Sequence, residues 1–205
     1  MKQINTFENC IQSIIALEPC YGQHGGNTSR VYTSQGELIE DNRRVLTLLK
    51  KILRNYGYDL KELRKHYGGY LGCGQGVPLP ISRNLVLVQL KMRQPLIEND
   101  GASGYVSATD VVKVSTLDTG SRSDQHKCLL HLTGGLTVPC CLTSRCVEKR
   151  LMNGRLALDH YRYLHNAIGS QQMRVAEKAE PAYDLYEKIS TISSFIYQLL
   201  TEVKA

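Results

Sequence analysis

The chain has no tryptophan and only two phenylalanines in 205 residues, so its core must rest on aliphatic side chains and some of its twelve tyrosines. A buried tyrosine hydroxyl needs a partner, which places several of the twelve at surfaces or interfaces. No run approaches the roughly 18–20 apolar residues of a membrane-spanning helix. Met1-Lys2-Gln3-Ile4-Asn5 leads into a mixed amphipathic segment and not into the apolar stretch of a signal peptide. These absences predict a soluble, cytoplasmic chain with no membrane partner. Cysteine follows no disulfide framework: Cys10, Cys20, Cys73, Cys128, Cys140, Cys141 and Cys146 are odd in number and irregularly spaced, as reduced thiols are. Carboxylates are scattered through polar loops, with no pair whose surroundings would separate their pKa values for acid–base work.

What the chain has is positive charge, unevenly placed. The net charge is +6. Residues 1–40 hold two Lys/Arg against four Asp/Glu, and residues 166–205 hold four against five. The middle, 41–165, therefore carries nineteen cations against ten anions. Clustered charge of one sign raises the local concentration of polyanions; an ordinary solvated basic surface is the plainer alternative.

Periodicity predicts a first helix from an Asn5 or Thr6 cap to about Glu18, ended by Pro19. A glycine loop (Gly22, Gly25, Gly26) precedes a hairpin, Ser29–Thr33 into Glu37–Ile39, turning at Gln35-Gly36. Residues 42–56 form a helix whose apolar stripe is Val45, Leu48, Leu49, Ile52, Leu53 and Tyr56. Gly57 stops it, and Asp59 caps a second helix, Leu60–Tyr67, bearing Lys61, Arg64, Lys65 and His66. Gly68 to Gly76, five glycines in nine residues, then predicts a hinge and a domain boundary. Beyond it come the apolar strand Leu85–Leu90, a polar loop with an Asn99-Asp100-Gly101 turn, and a short strand at Gly104-Tyr105-Val106. Strands over Asp110–Leu117, His126–Leu132 and Leu136–Val138 follow, the last two joined at Gly134-Gly135. Thr143 or Ser144 caps a basic helix that stops near Asn153-Gly154, and another runs from Arg155 to Ile168. From Leu185 the apolar positions Ile189, Ile192, Ile196, Leu199 and Val203 fall at the a/d spacing of a coiled coil. Such a helix is marginal alone, so it packs either on its own body or against a second copy.

Several constellations tempt a catalytic or metal reading. Cys128 and His131 sit an odd number of residues apart on a strand and so face opposite ways. Adjacent Cys140 and Cys141 also diverge, unlike the paired knuckles of structural zinc. Cysteine nucleophiles need a histidine in reach and a third group to orient it, and the sequence marks no such trio. Gly72-Cys73-Gly74-Gln75-Gly76 lacks the preceding strand and following helix of a dinucleotide loop, and Gly25-Gly26-Asn27-Thr28 lacks the lysine of a phosphate loop. The cations remain. Arg145 and Lys149 share a helix face, with Arg150 beside them and Arg155 beyond. Lys91 and Arg93 alternate to one side of their strand, away from Met92.

From Pro78 to His165 the order of elements resembles the ComK family of bacterial competence transcription factors. The likeness comprises a proline-containing entry, the strand Leu85–Leu90 and the step Gly104-Tyr105-Val106, where Tyr105 stands in place of the family's tryptophan. It continues through the hairpin Leu129–Val138 and the helix and basic segment Ser144–Leu158. The strand-rich core is also similar to LytTR-type DNA-binding domains. The resemblance implies a transcription regulator, an activator of competence genes in that family, that binds A/T-rich double-stranded DNA from the minor groove as an oligomer.

The expectations are then definite. The fold class is α+β, a mainly antiparallel sheet with flanking helices and a C-terminal packing helix. Its parts are 1–76 (helical, basic), 77–168 (strand-rich, DNA-binding) and 169–205 (helix, dimer seam). DNA contacts fall to Lys91, Arg93, Arg145, Lys149, Arg150 and Arg155; dimerisation falls to Leu185, Ile189, Ile192, Ile196 and Leu199. Neither a catalytic set nor a metal, cofactor or small-molecule substrate is expected. The alternatives are an adaptor working through its C-terminal helix and a thiol or metal enzyme using Cys128, His131 and Cys140.

Overall fold

The first helix is one turn long. In the computed structural model, which describes residues 7–175 except Asn99 and 118–125, Phe7–Cys10 is helix α1 and Ile11–Ser13 a 3-10 turn. Ile14–Tyr21 then extends as strand β1. The expected helix through Glu18 fails because Ile14, Ile15, Ala16 and Leu17 are all buried. A run covered on both sides suits a central strand, whose faces both lie in core. Pro19 is tolerated because β1 pairs with its far neighbour only through Ala16 and Leu17, so the missing donor falls where the strand is an edge on that side.

Asn27–Thr33 (β2) and Leu38–Asp41 (β3) form the expected hairpin. Val45–Asn55 (α2) buries the expected stripe Val45, Leu48, Leu49, Ile52 and Leu53. Leu60–Leu71 (α3) is capped by the Asp59 carboxylate, which accepts from the Lys61 and Glu62 N–H groups. Leu79–Pro80 (β4), Val86–Lys91 (β5) and Ser103–Ser107 (β6) follow. All six strands make one antiparallel sheet ordered β3-β2-β1-β6-β5-β4.

The boundary expected at residue 76 is therefore corrected: strands from both sides of it share a sheet, joined where β1 meets β6. The two compact units of the chain instead divide between Tyr163 and Leu164. The glycine-rich stretch is partly helix, with Gly68 and Gly69 inside α3 and Gly72 closing it in the left-handed conformation. Val111–Thr116 (β7), Cys128–Leu132 (β8) and Thr137–Cys140 (β9) form a second, three-stranded antiparallel sheet. Ser144–Val175 (α4) is one continuous helix, so the expected break at Gly154 is corrected too. A Cβ at Gly154 would lie 2.6 Å from Val88 Cγ2 and 2.9 Å from Ala108 Cβ. The residue is a close-packing point of helix on sheet, not a stop.

The large sheet has a core on each face. Leu17, Val31, Leu79, Leu87 and Tyr105 pack with α2, α3, Ala157 and Tyr161. Ile15, Val86, Val88, Leu90 and Val106 pack with β7–β9 and with Val147, Leu151 and Leu158 of α4. This explains why Leu85–Leu90 shows no polar alternation before Gln89: both of its faces are covered. The architecture is α+β and mainly antiparallel. Among the described residues, no helix is long and apolar enough to cross a membrane. The candidate dimer seam, Leu185 to Leu199, lies outside the described residues.

Candidate anion-binding site

Helix α3 buries Leu63 and Tyr67 in the core, which leaves Arg64, Lys65, Gly68 and Gly69 to form one wall of an open recess. The opposite wall is the end of β5 (Gln89, Lys91), the start of β6 (Ala102, Ser103), and Leu142 and Arg150 at the head of α4. The glycine-rich turn Cys73–Gly76 makes its lip. Gly76 has a φ of +64°, and a Cβ there would stand 3.0 Å from the Arg150 guanidinium, so only glycine lets this turn lie on that side chain. Arg150 in turn donates to the Gln89 carbonyl at 2.6 Å. The volume of the recess is about 640 Å³.

A second recess, of about 330 Å³, shares Arg64, Gln89, Ala102 and Ser103 with the first and continues it past Tyr105 to Arg44, Arg93 and Asn27. Arg64 spans the junction, donating to the Tyr105 hydroxyl at 2.8 Å. Burial pushes that hydroxyl's pKa up, against the opposing effect of Arg64, so it stays neutral. Together the recesses make a trough lined by Arg44, Arg64, Lys65, Lys91, Arg93 and Arg150. Among the described residues, no Asp or Glu lines either part. Asp100, held by Asn27 at 2.5 Å and Tyr21 at 2.7 Å, is felt by Arg93 and Arg44 but faces neither recess.

Cations elsewhere are treated differently. Arg43 pairs with Asp41 at 2.5 Å and Glu8 at 3.0 Å, and Lys51 pairs with Glu8 at 2.5 Å. The hydrogen bond from Lys51, with the backbone and Arg43, holds the Glu8 carboxyl down at about 2. Arg30 reaches Glu18 and Glu40, and Arg162 reaches Asp159. None of the six trough cations is in an ion pair among the described residues.

Of the six residues expected to meet DNA, Lys91, Arg93 and Arg150 line the trough. Arg145, Lys149 and Arg155 are exposed on α4 outside it. Arg93 is a correction. Alternation along a strand would turn it outward beside Lys91, but β5 ends at Lys91, and the Met92 and Arg93 N–H groups both converge on the Ala102 carbonyl. That bulge-like turn sends Arg93 inward, leaving it 9% exposed. Its guanidinium donates to the carbonyls of Gly101 and Cys20, each at 2.8 Å, and to Asn27 Oδ1, and lies 4.1 Å from the Tyr21 ring centre. It is a brace between loops and has few donors left for a phosphate. Replacing it by alanine strands several buried acceptors; we expect a loss of about 2–4 kcal/mol in chemical unfolding, with residues 94–101 losing hydrogen-exchange protection first.

Arg44, Arg64 and Lys65 were not among the expected contacts. Their charge was visible in the sequence, but the supposed hinge at Gly68–Gly76 placed them in another domain. The two candidate cysteines are internal: Cys128 donates to the Leu142 carbonyl and Cys140 to that of Lys91. Burial raises both thiols, Cys140 to about 12, so both are neutral S–H groups near pH 7. His131 is hydrogen-bonded to Ser115 across the sheet at 2.8 Å. Comparison with family models, curated proteins and solved structures finds no match to this chain.

Proposed function

We propose that this chain is a DNA-binding transcription regulator that holds one sugar-phosphate strand of a duplex in the trough, working as an oligomer. The single observation that carries the reading is a run of cations from Arg44 to Arg150 with no carboxylate lining it among the described residues. Small-molecule pockets are enclosed; the larger recess is open and bordered by glycines. A chain of phosphates fits such a shape, since bare backbone at Gly74 and Gly76 permits close approach while Lys65 and Lys91 neutralise charge from either wall. Arg145 and Lys149, exposed one turn apart on α4, extend the positive surface from Arg150.

The preference for A/T-rich sites read from the minor groove comes from the resemblance to ComK, and it agrees with the pull of narrow A/T grooves on arginine. The oligomer rests on the a/d spacing at Leu185–Leu199. A regulator of this kind works in the cytoplasm, where its seven free thiols stay reduced.

The test is duplex binding as a function of salt. Displaced counterions give a log–log slope of about −0.9 per neutralised phosphate. Arg44, Arg64, Lys65 and Lys91 alone predict a slope of about −3 to −4. A flat response, with no measurable binding at low salt, rejects the reading. Selection from a random duplex pool then reports whether A/T-rich sites are enriched.

A further inference from the structure

We propose that the loop between β5 and β6 is a wedge, whose Leu96 and Ile97 side chains enter between stacked base pairs and bend the duplex lying in the trough. The inference rests on the DNA-binding reading above and adds to it a mode of deformation. Leu96 is 78% exposed and Ile97 68%, two large apolar side chains side by side at a loop tip. An unsupported apolar tip would fold down onto the protein surface to shed water. This one is held out.

The support is a small polar network built around the buried Arg93. Arg93 fastens Gly101 on the returning limb of the loop to Cys20 at the end of β1 and Asn27 at the start of β2. Tyr21, stacked on that guanidinium, accepts from the Leu96 N–H at 2.8 Å and donates to Asp100. The Asp100 N–H donates to the Ile97 carbonyl at 3.0 Å, closing the tip. The outgoing limb is thereby fixed at Leu96 itself and the returning limb at Asp100, three residues beyond Ile97, which is how a side chain is made ready to enter a stack without first ordering its own backbone.

Position supplies the occupant. The stem of the same loop, Arg93 and Gly101 to Ser103, is a wall of the trough, so a duplex held there by its phosphates lies against the foot of the loop that carries the tip. Proteins that deform DNA from the minor groove insert Leu, Ile, Met, Phe or Pro at a base step, with cations on the flanking phosphates. Pro95-Leu96-Ile97, on a loop whose stem lines the second recess together with Arg44 and Arg64, supplies the apolar part of that composition. Flexible pyrimidine–purine steps such as TA offer the least resistance.

The experiment uses the full chain and an A/T-rich duplex carrying 2-aminopurine at a central TA step, with a donor and an acceptor dye on its ends. We expect the native protein to raise 2-aminopurine fluorescence several-fold, as an unstacked base does, and to bring the ends closer. Leu96→Ala with Ile97→Ala should leave the fold and the salt slope unchanged. It should abolish both optical changes and weaken binding about tenfold, the lost apolar contact being partly offset by unstacking no longer required. Leu96→Phe should retain both signals. Salt-dependent binding by the native chain without unstacking overturns the wedge and leaves the DNA reading intact. So does equal unstacking by the double variant, and so does loss of binding to a protein partner with DNA binding unchanged. Absence of duplex binding by the native chain overturns both.

Discussion

Reversing two charges, Lys65→Glu with Lys91→Glu, is expected to lower duplex affinity by about three orders of magnitude at moderate salt. Both side chains are exposed, line the same recess, and have no ion-pair partner among the described residues. Each reversal removes an attraction and installs a repulsion, and a single contact between charges near a protein surface is worth on the order of 1 kcal/mol or more. Four such changes total about 4 kcal/mol, close to a thousandfold. Neither side chain supports the fold, so thermal stability should change by less than about 0.5 kcal/mol. Fluorescence anisotropy across a salt series measures the loss, and the slope should become shallower by about 2. Affinity within a factor of three of the native chain would show that DNA, if bound, lies elsewhere. The pair Lys149→Glu and Arg145→Glu, on the exposed face of α4, should have a smaller effect, since only the margin of the positive surface is altered.

The largest effect on stability is expected at Gly154. Helix propensity alone says that Gly→Ala in a helix interior stabilises by about 1 kcal/mol. The packing reverses the sign. A Cβ at Gly154 would stand 2.6 Å from Val88 Cγ2 and 2.9 Å from Ala108 Cβ, and both neighbours are fully buried in the sheet. Neither can withdraw without disturbing β5 or the end of β6. Gly154→Ala should therefore cost about 2 kcal/mol and Gly154→Val about 4 kcal/mol, as overpacked cores do. For a chain of this size the second corresponds to a fall of about 8–16 °C in melting temperature. Gly69, in α3, is the control: a Cβ there meets nothing within 4 Å, so Gly69→Ala should gain about 0.5–1 kcal/mol. Differential scanning calorimetry distinguishes the two. If both alanines stabilise, α4 does not lie on the sheet as described. Forcing α4 away would also strain the Arg150–Gln89 hydrogen bond, so Gly154→Val should weaken duplex binding without touching a cation.

Local chemistry was readable wherever one face of one element decides the outcome. The stripe from Val45 to Leu53 buries as its 3.6-residue spacing requires. Asp59 caps α3 as its side chain invites, and Gly134-Gly135 turns the β8–β9 hairpin with both φ angles positive. The apolar run at Leu85–Leu90 predicts a strand, and Val86–Lys91 forms β5. The charge was equally plain: nineteen Lys/Arg between residues 41 and 165 marked the region in which the trough is found.

Long-range pairing was not readable. Ile14–Leu17 has an apolar run that suits a helix or a buried strand, and only β2 and β6 on either side of it choose between them. That same meeting of β1 with β6 abolishes the apparent domain boundary and brings Arg64 and Lys65 across from Lys91 and Arg150. Gly154 looked like a terminator because glycine ends helices when nothing lies against them. Here a sheet lies against it, and its missing Cβ is what permits the contact.

By itself, then, the amino-acid order determined which segments are amphipathic, where caps and tight turns fall, and that positive charge gathers in the middle of the chain, because each depends on neighbours within a few residues. Which cations face one another across a trough, and that Arg93 is an internal brace while Lys91 has no ion pair among the described residues, was decided only by the tertiary structure. Those facts depend on strand order and on where a bulge turns the chain, and both arise from contacts between residues many tens of positions apart.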